Sequence, residues 1–167
     1  MYTLHYRTPD GFSDMEMQSD GEVLTRLVFL DSKDEGKLFS REAGAASLPI
    51  FRETVKYLDL YFRGEVPNFL PRCRLEGATP FRLAVSRLML DIPYGETVTY
   101  GALAHELARM TGKERMSAQA VGGAVGWNPI CILIPCHRVV GASGALVGYG
   151  GGIENKRRLL ALEAAHR

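Results

Sequence analysis

The sequence lacks an apolar run long enough to cross a bilayer, and its N-terminus has no basic stretch followed by an apolar core. We therefore expect a cytoplasmic protein without a membrane partner. Cysteine is scarce as well, since Cys73, Cys131 and Cys136 are an odd number and none belongs to a Cys-x-x-Cys pair. This argues against a disulfide framework and against common zinc motifs, so we predict no metal site and at least one free thiol.

An excess of charge of one sign is also missing, because 20 Lys and Arg face 19 Asp and Glu in 167 residues. The two halves differ, however: residues 1–79 hold 10 basic against 13 acidic side chains, and residues 80–167 hold 10 against 6. Only the second half therefore has the positive charge that would attract a polyanionic partner, and this charge is small enough to be weak evidence. The length and the apolar content of 46% suit a folded protein of one domain or two small lobes.

The first half predicts a small antiparallel sheet followed by one helix. Short β-like runs at 2–6 and 22–30 lie among turn-rich segments, of which one spans 31–36. The helix is predicted between Pro49 and Gly64, behind Ser47. Its apolar residues recur at helical spacing: Phe51, Val55, Leu58 and Phe62.

A connector rich in Pro and Arg at 65–79 is the predicted boundary between two lobes. Beyond it, Thr79 and Pro80 open a helix with a capping hydroxyl and a proline at the first helical position. The apolar face of this helix comprises Phe81, Val85, Leu88, Met89 and Ile92.

Two further short helices predict a helix-turn-helix. Thr99 begins the first, and Ser117 caps the second at 118–125, with a glycine-containing turn between them. The apolar face of the first comprises Leu103, Leu107 and Met110. A final helix is predicted at 153–165.

Gly122 and Gly123 interrupt the second helix of this pair, although each glycine inside a helix costs about 1 kcal/mol relative to alanine. Two interpretations remain open. Composition favours close packing against another helix, whereas a functional interpretation is the approach of a nucleic-acid backbone to a face without side chains. More glycines lie at 141–144 and 148–152, but no Gly-x-x-x-x-Gly-Lys-Ser/Thr motif supports a nucleotide site.

The candidate chemistry lies in the segment 132–141, which contains Cys136, His137 and Arg138. The segment predicts a buried β-strand that leaves its sheet at Pro135 and turns Cys136 and His137 out of the core. Because side chains alternate along a strand, His137 reaches the Cys136 sulfur only if the backbone bends or a water relays the proton.

Activation of a thiol near neutral pH needs an imidazole that a carboxylate orients. Glu154 and Glu163 are the nearest carboxylates downstream of the Cys136–His137 pair. The alternative, favoured by the dipeptide alone, is an inert buried cysteine beside a satisfied histidine.

The ordered motifs resemble those of the O6-alkylguanine-DNA alkyltransferases, also called methylated-DNA-protein-cysteine methyltransferases. The signature Ile-Pro-Cys-His-Arg-Val-Val occupies 134–140, and the accompanying motifs lie at 92–101, 120–123, 128–129, 148–151 and 156–163. The resemblance is dense over 79–163 and extends to the first lobe only in general layout. It implies an α/β (α+β) fold, with a ribonuclease-H-like sheet and helix lobe at 1–76 and a mostly helical, DNA-binding and alkyl-transferring lobe at 77–167.

The resemblance implies a one-use repair protein that flips O6-alkylguanine, and also O4-alkylthymine, out of duplex DNA and takes the alkyl group onto Cys136. His137 resembles the base that reaches the thiol through a water, and Glu163 resembles the carboxylate that orients it. Asn128 resembles the residue that braces the active-site turn, and Tyr100 the tyrosine beside the flipped guanine.

Substrate and DNA contacts are implied in the same way. The pocket set comprises Val139, Tyr149, Gly150, Gly151 and Lys156, with the loop 148–151 covering the lesion. The second helix of the helix-turn-helix enters the minor groove, so small residues keep it slim. The DNA-binding set comprises Ser117, Ala118, Gln119, Ala120, Gly122, Gly123 and the scaffold residue Arg138, which links the turn to its surroundings. Two positions depart from the family, which commonly has arginine at Gln119 and serine at Gly150.

Attack at a saturated carbon needs a thiolate, alignment and help for the departing guanine oxygen, but no oxyanion hole. The product is a thioether that this site has no means to hydrolyse, so one turnover by a monomer without a cofactor is expected. Two alternatives remain: a lesion-binding protein without catalysis, and a Cys-His hydrolase that turns over an ester or amide.

Overall fold

The computed structural model of the chain describes residues 1–30 and 45–167. Its first element is an antiparallel sheet with the strands in chain order, β1 (Tyr2–Tyr6), β2 (Met15–Ser19) and β3 (Leu24–Phe29). The predicted sheet is therefore confirmed, although β2 was missed and the turn-rich segment 31–36 lies outside the described residues.

Strand β2 escaped prediction because it contains none of the β-branched or aromatic residues that mark strands. Its alternation is nevertheless regular, since Met15 and Met17 are fully buried while Glu16 and Gln18 are half-buried. Two methionines thus supply the inward face of the central strand.

Helix α1 (Pro49–Phe62) packs beside this sheet. Proline occupies its first turn, and Gly64, at a φ of +81°, ends it as predicted. Ser47 belongs to a preceding 3₁₀ turn and does not cap the helix. The buried face of α1 contains Ile50, Phe51, Thr54, Leu58 and Tyr61.

Four helices follow α1 along the chain: α2 (Pro80–Leu90), α3 (Tyr100–Thr111), α4 (Ala118–Trp127) and α5 (Ile153–His166). The side chains that accept a hydrogen bond from the first turns of α2, α3 and α4 are the predicted caps Thr79, Thr99 and Ser117.

Helices α3 and α4 form the predicted helix-turn-helix, with left-handed Gly112 ending α3. The prediction that Met110 lies on the apolar face of α3 is wrong, because its side chain is 56% exposed. Leu103 and Leu107 are buried.

No helix of the described residues is long and apolar enough to span a membrane.

The prediction of a buried strand in the segment 132–141 is also largely wrong. Residues 131–134 form turns, Ile132 adopts a φ of +69°, and Cys136–Arg138 is a 3₁₀ turn. Only β5 (Val139–Val140) is a strand, which pairs in parallel with β4 (Val98–Thr99). The apolar run reflects burial, and burial alone does not distinguish a strand from a buried turn.

Candidate active site

Asn128, at the end of α4, holds the turn that carries Cys136. Its Nδ2 donates to the carbonyl oxygens of Ile134 at 2.9 Å and Ile130 at 3.2 Å. Its Oδ1 accepts from the Ile130 amide at 3.0 Å. One buried amide thus connects both ends of the turn directly before Pro135, which fixes the backbone from which the thiol projects.

Glu163, on α5, is the centre of a buried hydrogen-bond network. Its Oε1 accepts from His137 Nε2 at 2.6 Å and from the Tyr61 hydroxyl at 2.7 Å. Arg138 donates from Nε to Oε2 at 2.9 Å and from Nη2 to Oε1 at 3.0 Å. The Gly95 amide donates to Oε2 at 3.1 Å. Of the two candidate carboxylates, Glu163 is therefore the one beside His137.

The network settles the protonation of the pair. Burial alone raises the pKa of Glu163, but the hydrogen bonds from His137 and Arg138 outweigh it and leave the pKa at about 2. Burial lowers the pKa of His137 below its usual value, against the pull of Glu163. An ionised Glu163 can only accept the Nε2 proton, so neutral His137 keeps its lone pair on Nδ1. Among the described residues Nδ1 has no hydrogen-bond partner.

Cys136 and His137 stay inside the protein, contrary to the prediction that both turn out of the core: their exposures are 4% and 0%. The thiol donates a hydrogen bond to the Tyr149 hydroxyl, with 3.8 Å between sulfur and oxygen. A hydrogen bond from the Cys131 thiol is the largest cause that lowers the pKa of Cys136, to about 7, against burial. Asn128 and Tyr149 add hydrogen bonds in the same direction.

A cavity of about 630 Å³ opens beside the thiol. Its walls include Cys136, Cys131, Tyr100, part of α4 and the loop 147–151. A Cβ at Gly150 would lie 3.6 Å from the Gly126 carbonyl oxygen, so loop and helix approach closely. The cavity lies within the size range of small-molecule sites, so it is large enough for one nucleobase.

Lys156 connects the predicted pocket residues. Its Nζ donates to the Val139 carbonyl at 2.5 Å, and lies 5.8 Å and 5.7 Å from the ring centres of Tyr100 and Tyr149. The ammonium is fully enclosed by these partners. Its charge also favours the thiolate of Cys136.

The predicted DNA-binding residues, apart from Arg138, lie on α4 and at its cap. Those that are exposed are Ser117, Ala118, Gln119, Ala120 and Gly123. A Cβ at Gly122 would meet the Tyr100 ring at 3.8 Å, whereas a Cβ at Gly123 would meet no described atom within 4 Å. Close helix packing, the interpretation that composition favoured, is therefore wrong for Gly123.

The structure does not bring Arg138 to that surface, since its guanidinium lies on Glu163 and donates to the Ile92 carbonyl at 2.8 Å. Glu154, the other candidate carboxylate, is exposed and pairs with Arg157 and Arg158. In the described part of the chain, no three His, Cys, Asp or Glu side chains are grouped to hold a metal.

Sequence reasoning missed Tyr61 and Cys131. A hydroxyl on the apolar face of α1, three residues after Leu58, is the signal that marks Tyr61. Cys131 lies in an apolar run five positions before Cys136. The sequence gives no signal there, because a buried cysteine is also common as an ordinary core residue.

The family model described as "6-O-methylguanine DNA methyltransferase, DNA binding domain" matches residues 80–165. The methylated-DNA–protein-cysteine methyltransferase of Mycobacterium tuberculosis (strain ATCC 25618 / H37Rv) is 43% identical over 96% of this chain and 92% of its own length. The one of Methanosarcina acetivorans is 38% identical over 99% of both chains.

Solved structures show the same likeness. The M. tuberculosis OGT in complex with DNA superposes with a TM-score of 0.80 at 38% identity, covering 99% of this chain and 94% of that chain. The O6-methylguanine-DNA methyltransferase of Pyrococcus kodakaraensis strain KOD1 gives a TM-score of 0.62 at 27% identity, covering 97% and 98%.

Proposed function

The chain belongs to the methylated-DNA–protein-cysteine methyltransferase family, and we propose that it repairs DNA by moving the alkyl group of O6-alkylguanine onto Cys136. The observation that carries the proposal is a thiol with a pKa of about 7 at the wall of a base-sized cavity. The neighbouring His137–Glu163 pair supports it with a neutral base whose Nδ1 is free to accept a proton.

In the proposed step, the Cys136 sulfur attacks the alkyl carbon, and the sulfur–carbon bond forms as the carbon–O6 bond breaks. His137 Nδ1 takes the thiol proton through one water. The departing guanine gains a proton, for which Tyr100, at the cavity wall, is the proposed donor. Overall, thiol and alkylguanine become thioether and guanine.

The thioether blocks the acceptor thiol of Cys136 permanently. A neutral histidine and a buried carboxylate provide no means to cleave a carbon–sulfur bond, so each molecule acts once. We also propose O4-alkylthymine as a substrate, because it presents the same exocyclic alkoxy group on a smaller ring.

The burial of Cys136 supports the proposal that the lesion base is flipped out of the duplex. A base stacked in a duplex cannot bring its O6 substituent to a thiol that is 4% exposed, and extrusion costs a few kcal/mol. We propose that the slim face of α4 enters the minor groove and that Gln119 occupies the gap that the base leaves.

We assign DNA binding and transfer to residues 77–167, and a supporting role to the lobe 1–76. The proposed form is a monomer in the cytoplasm, where reducing conditions keep thiols free; Cys73, Cys131 and Cys136 form no disulfide in the structure.

The test is intact-protein mass spectrometry after incubation with excess duplex oligonucleotide that contains one O6-methylguanine. The proposal predicts one methyl group per protein, located by fragmentation on Cys136, absent in Cys136→Ala and retained in Cys73→Ser. Lesion binding without methylation would instead establish a lesion-binding protein, and turnover of an ester would establish a hydrolase.

A further inference from the structure

A second thiol faces the same cavity as the acceptor. Cys131 and Cys136 both line the cavity, both are free, and each is only 4% exposed. The third cysteine, Cys73, is not among the lining residues and lies next to β3, where it bridges Leu24. The cavity thus contains two cysteines with access to the same small molecules.

The turn brings these two thiols together. The Cys131 amide donates to the Leu27 carbonyl at 2.7 Å, which anchors the start of the turn on β3. The Leu133 amide donates back to the Cys131 carbonyl at 2.8 Å, and the positive φ of Ile132 reverses the chain. The turn therefore places two cysteines, five positions apart in the chain, at the wall of one cavity. The Cys136 thiol donates to the Tyr149 hydroxyl at 3.8 Å, and the interaction between the two thiols shifts the pKa of both.

We propose that Cys131 is a resolving thiol that closes a reversible disulfide with Cys136 after a hydroperoxide has oxidised the acceptor. In the first step the Cys136 thiolate attacks the terminal peroxide oxygen and the O–O bond breaks. The sulfur, oxidised by two electrons, becomes a sulfenic acid, and the other oxygen leaves as an alkoxide, or as hydroxide from hydrogen peroxide, and takes a proton from water. In the second step the Cys131 sulfur attacks the Cys136 sulfur, the S–S bond forms, and the S–O bond breaks. The leaving hydroxide takes the Cys131 proton and departs as water.

The two thiols are chemically unequal in the way this sequence of steps requires. Hydrogen bonds hold the pKa of Cys136 at about 7, so a large fraction is thiolate at neutral pH and open to oxidation. The hydrogen bond with Cys136, together with burial, raises the pKa of Cys131. Cys131 thus stays a thiol until its neighbour is oxidised.

The disulfide would protect Cys136, which can accept an alkyl group only once, from irreversible oxidation. Under the proposed function each Cys136 is consumed once by repair, so irreversible oxidation to a sulfinic acid would waste it. A disulfide blocks alkyl transfer, but a thiol reductant restores it.

The experiment exposes wild type, Cys131→Ser and the control Cys73→Ser to hydrogen peroxide without DNA. Trypsin cleavage after Arg115 and Arg138 leaves both cavity cysteines in one peptide, 116–138. In wild type and in Cys73→Ser, this peptide is expected to lose the mass of two hydrogen atoms. In Cys131→Ser it is expected to gain two or three oxygen atoms.

Methyl acceptance from O6-methylguanine DNA is then measured before and after dithiothreitol, each variant relative to its own untreated sample. Wild type is expected to lose nearly all acceptance and to recover most of it, whereas Cys131→Ser does not recover. Because Met116 in the same peptide also takes up oxygen, fragmentation assigns each added oxygen atom to its residue. Oxygen addition to Cys136 at the same rate in wild type and in Cys131→Ser would overturn the proposal. If untreated protein accepts no methyl group, the proposed function fails, while the peptide masses still decide for or against the disulfide.

Discussion

Cys136 combines burial with a pKa near neutrality, two properties that oppose each other in an isolated thiol. Burial by itself raises a thiol pKa, and the structure reverses this through hydrogen bonding with Cys131, Asn128 and Tyr149 and through the charge of Lys156. The reactivity of this one residue is therefore a property of its neighbours.

We predict that the single-turnover rate of alkyl transfer rises with pH and levels off above about pH 7, because the thiolate is the nucleophile. In Tyr149→Phe the midpoint moves up by roughly half a pH unit, since one hydrogen bond to the thiolate is lost. Rates with O6-methylguanine DNA between pH 5.5 and 9 measure the shift. Tyr2→Phe is the control, because its ring lies beside Gly21 and outside the cavity. An unmoved midpoint in Tyr149→Phe would refute the assignment.

Glu163 depends on its neighbours in the same way, because its carboxylate, like the Cys136 thiolate, is a buried anion. Its carboxylate is 1% exposed and stays ionised because Arg138 and His137 donate to it. Removing the charge would leave the Arg138 guanidinium buried without a counter-ion, which is the costly way to break a buried pair.

We predict that Glu163→Gln lowers the free energy of unfolding by about 3 kcal/mol at pH 7. The pKa of Glu163 is lower in the folded state, so its stabilisation is complete above the unfolded value of 4.5 and disappears as the pH falls towards about 2. Urea unfolding at pH 7, 4 and 3 should show the difference from wild type shrinking. A difference independent of pH would contradict the ion-pair explanation.

At the scale of secondary structure elements, α1 and α5 meet at the active site from distant parts of the sequence. The Tyr61 hydroxyl of α1 donates to Glu163 on α5 and lies 3.4 Å from His137 Nε2. The first half of the chain therefore contributes a side chain to the hydrogen-bond network around His137 and Glu163.

We predict that Tyr61→Phe destabilises the protein by about 2 kcal/mol, because it removes a buried hydrogen bond to a carboxylate. The rate of alkyl transfer should also decline, and its acid limb should move to higher pH. The reason is that an unshared Glu163 charge favours protonated His137, which cannot accept a proton.

The matched control is Tyr6→Phe, which removes a similar bond, from the Tyr6 hydroxyl to Asp59 at 2.8 Å, away from the site. It should cost stability without changing the pH profile. Equal profiles for the two variants would show that Tyr61 is merely structural.

Helix α4 is the second element whose composition has a local explanation. Gly123 is exposed, and a Cβ there would contact no described atom within 4 Å. The fold therefore does not require a glycine at this position, although glycine weakens the helix.

We predict that Gly123→Ala raises the free energy of unfolding by about 0.5–1 kcal/mol through helix propensity. At the same time it should weaken binding to lesion-containing duplex, by about tenfold, or about 1.4 kcal/mol, if the bare face of α4 meets a DNA strand. Thermal unfolding and fluorescence anisotropy measure the two effects. Unchanged affinity would remove α4 from the proposed interface.

At the scale of the whole molecule, the charges are divided between the two halves. The net charge is −3 for residues 1–79 and +4 for residues 80–167, and the proposed DNA-binding helix lies in the second half. A small positive charge attracts a duplex without the strong counterion release of a highly basic protein.

We predict modest, salt-sensitive DNA binding, in which the logarithm of the affinity falls with the logarithm of salt concentration at a slope of roughly −2 to −4. Titrations of the same duplex between 50 and 200 mM NaCl give this slope. Affinity that is equal at both ends of the range would argue against an electrostatic interface.

The sequence by itself determined the parts of this protein that depend on local chemistry. Helix starts at Thr79, Thr99 and Ser117 were predictable because a capping hydroxyl acts within three residues of its own position. The family resemblance was equally accessible, because its motifs are contiguous and ordered.

Only the tertiary structure decided what depends on contacts between distant residues. A buried strand and a buried turn can have the same continuous apolar sequence. The turn at Cys136 and the burial of the Cys136 thiol could therefore not be predicted from the sequence. The choice of Glu163 over Glu154 as the partner of His137, the position of Tyr61 beside Glu163 and the position of Cys131 at the cavity depend on which surfaces the fold brings together. A pKa of about 7 for a buried thiol arises from those same contacts, since it sums interactions from three separate segments of the chain.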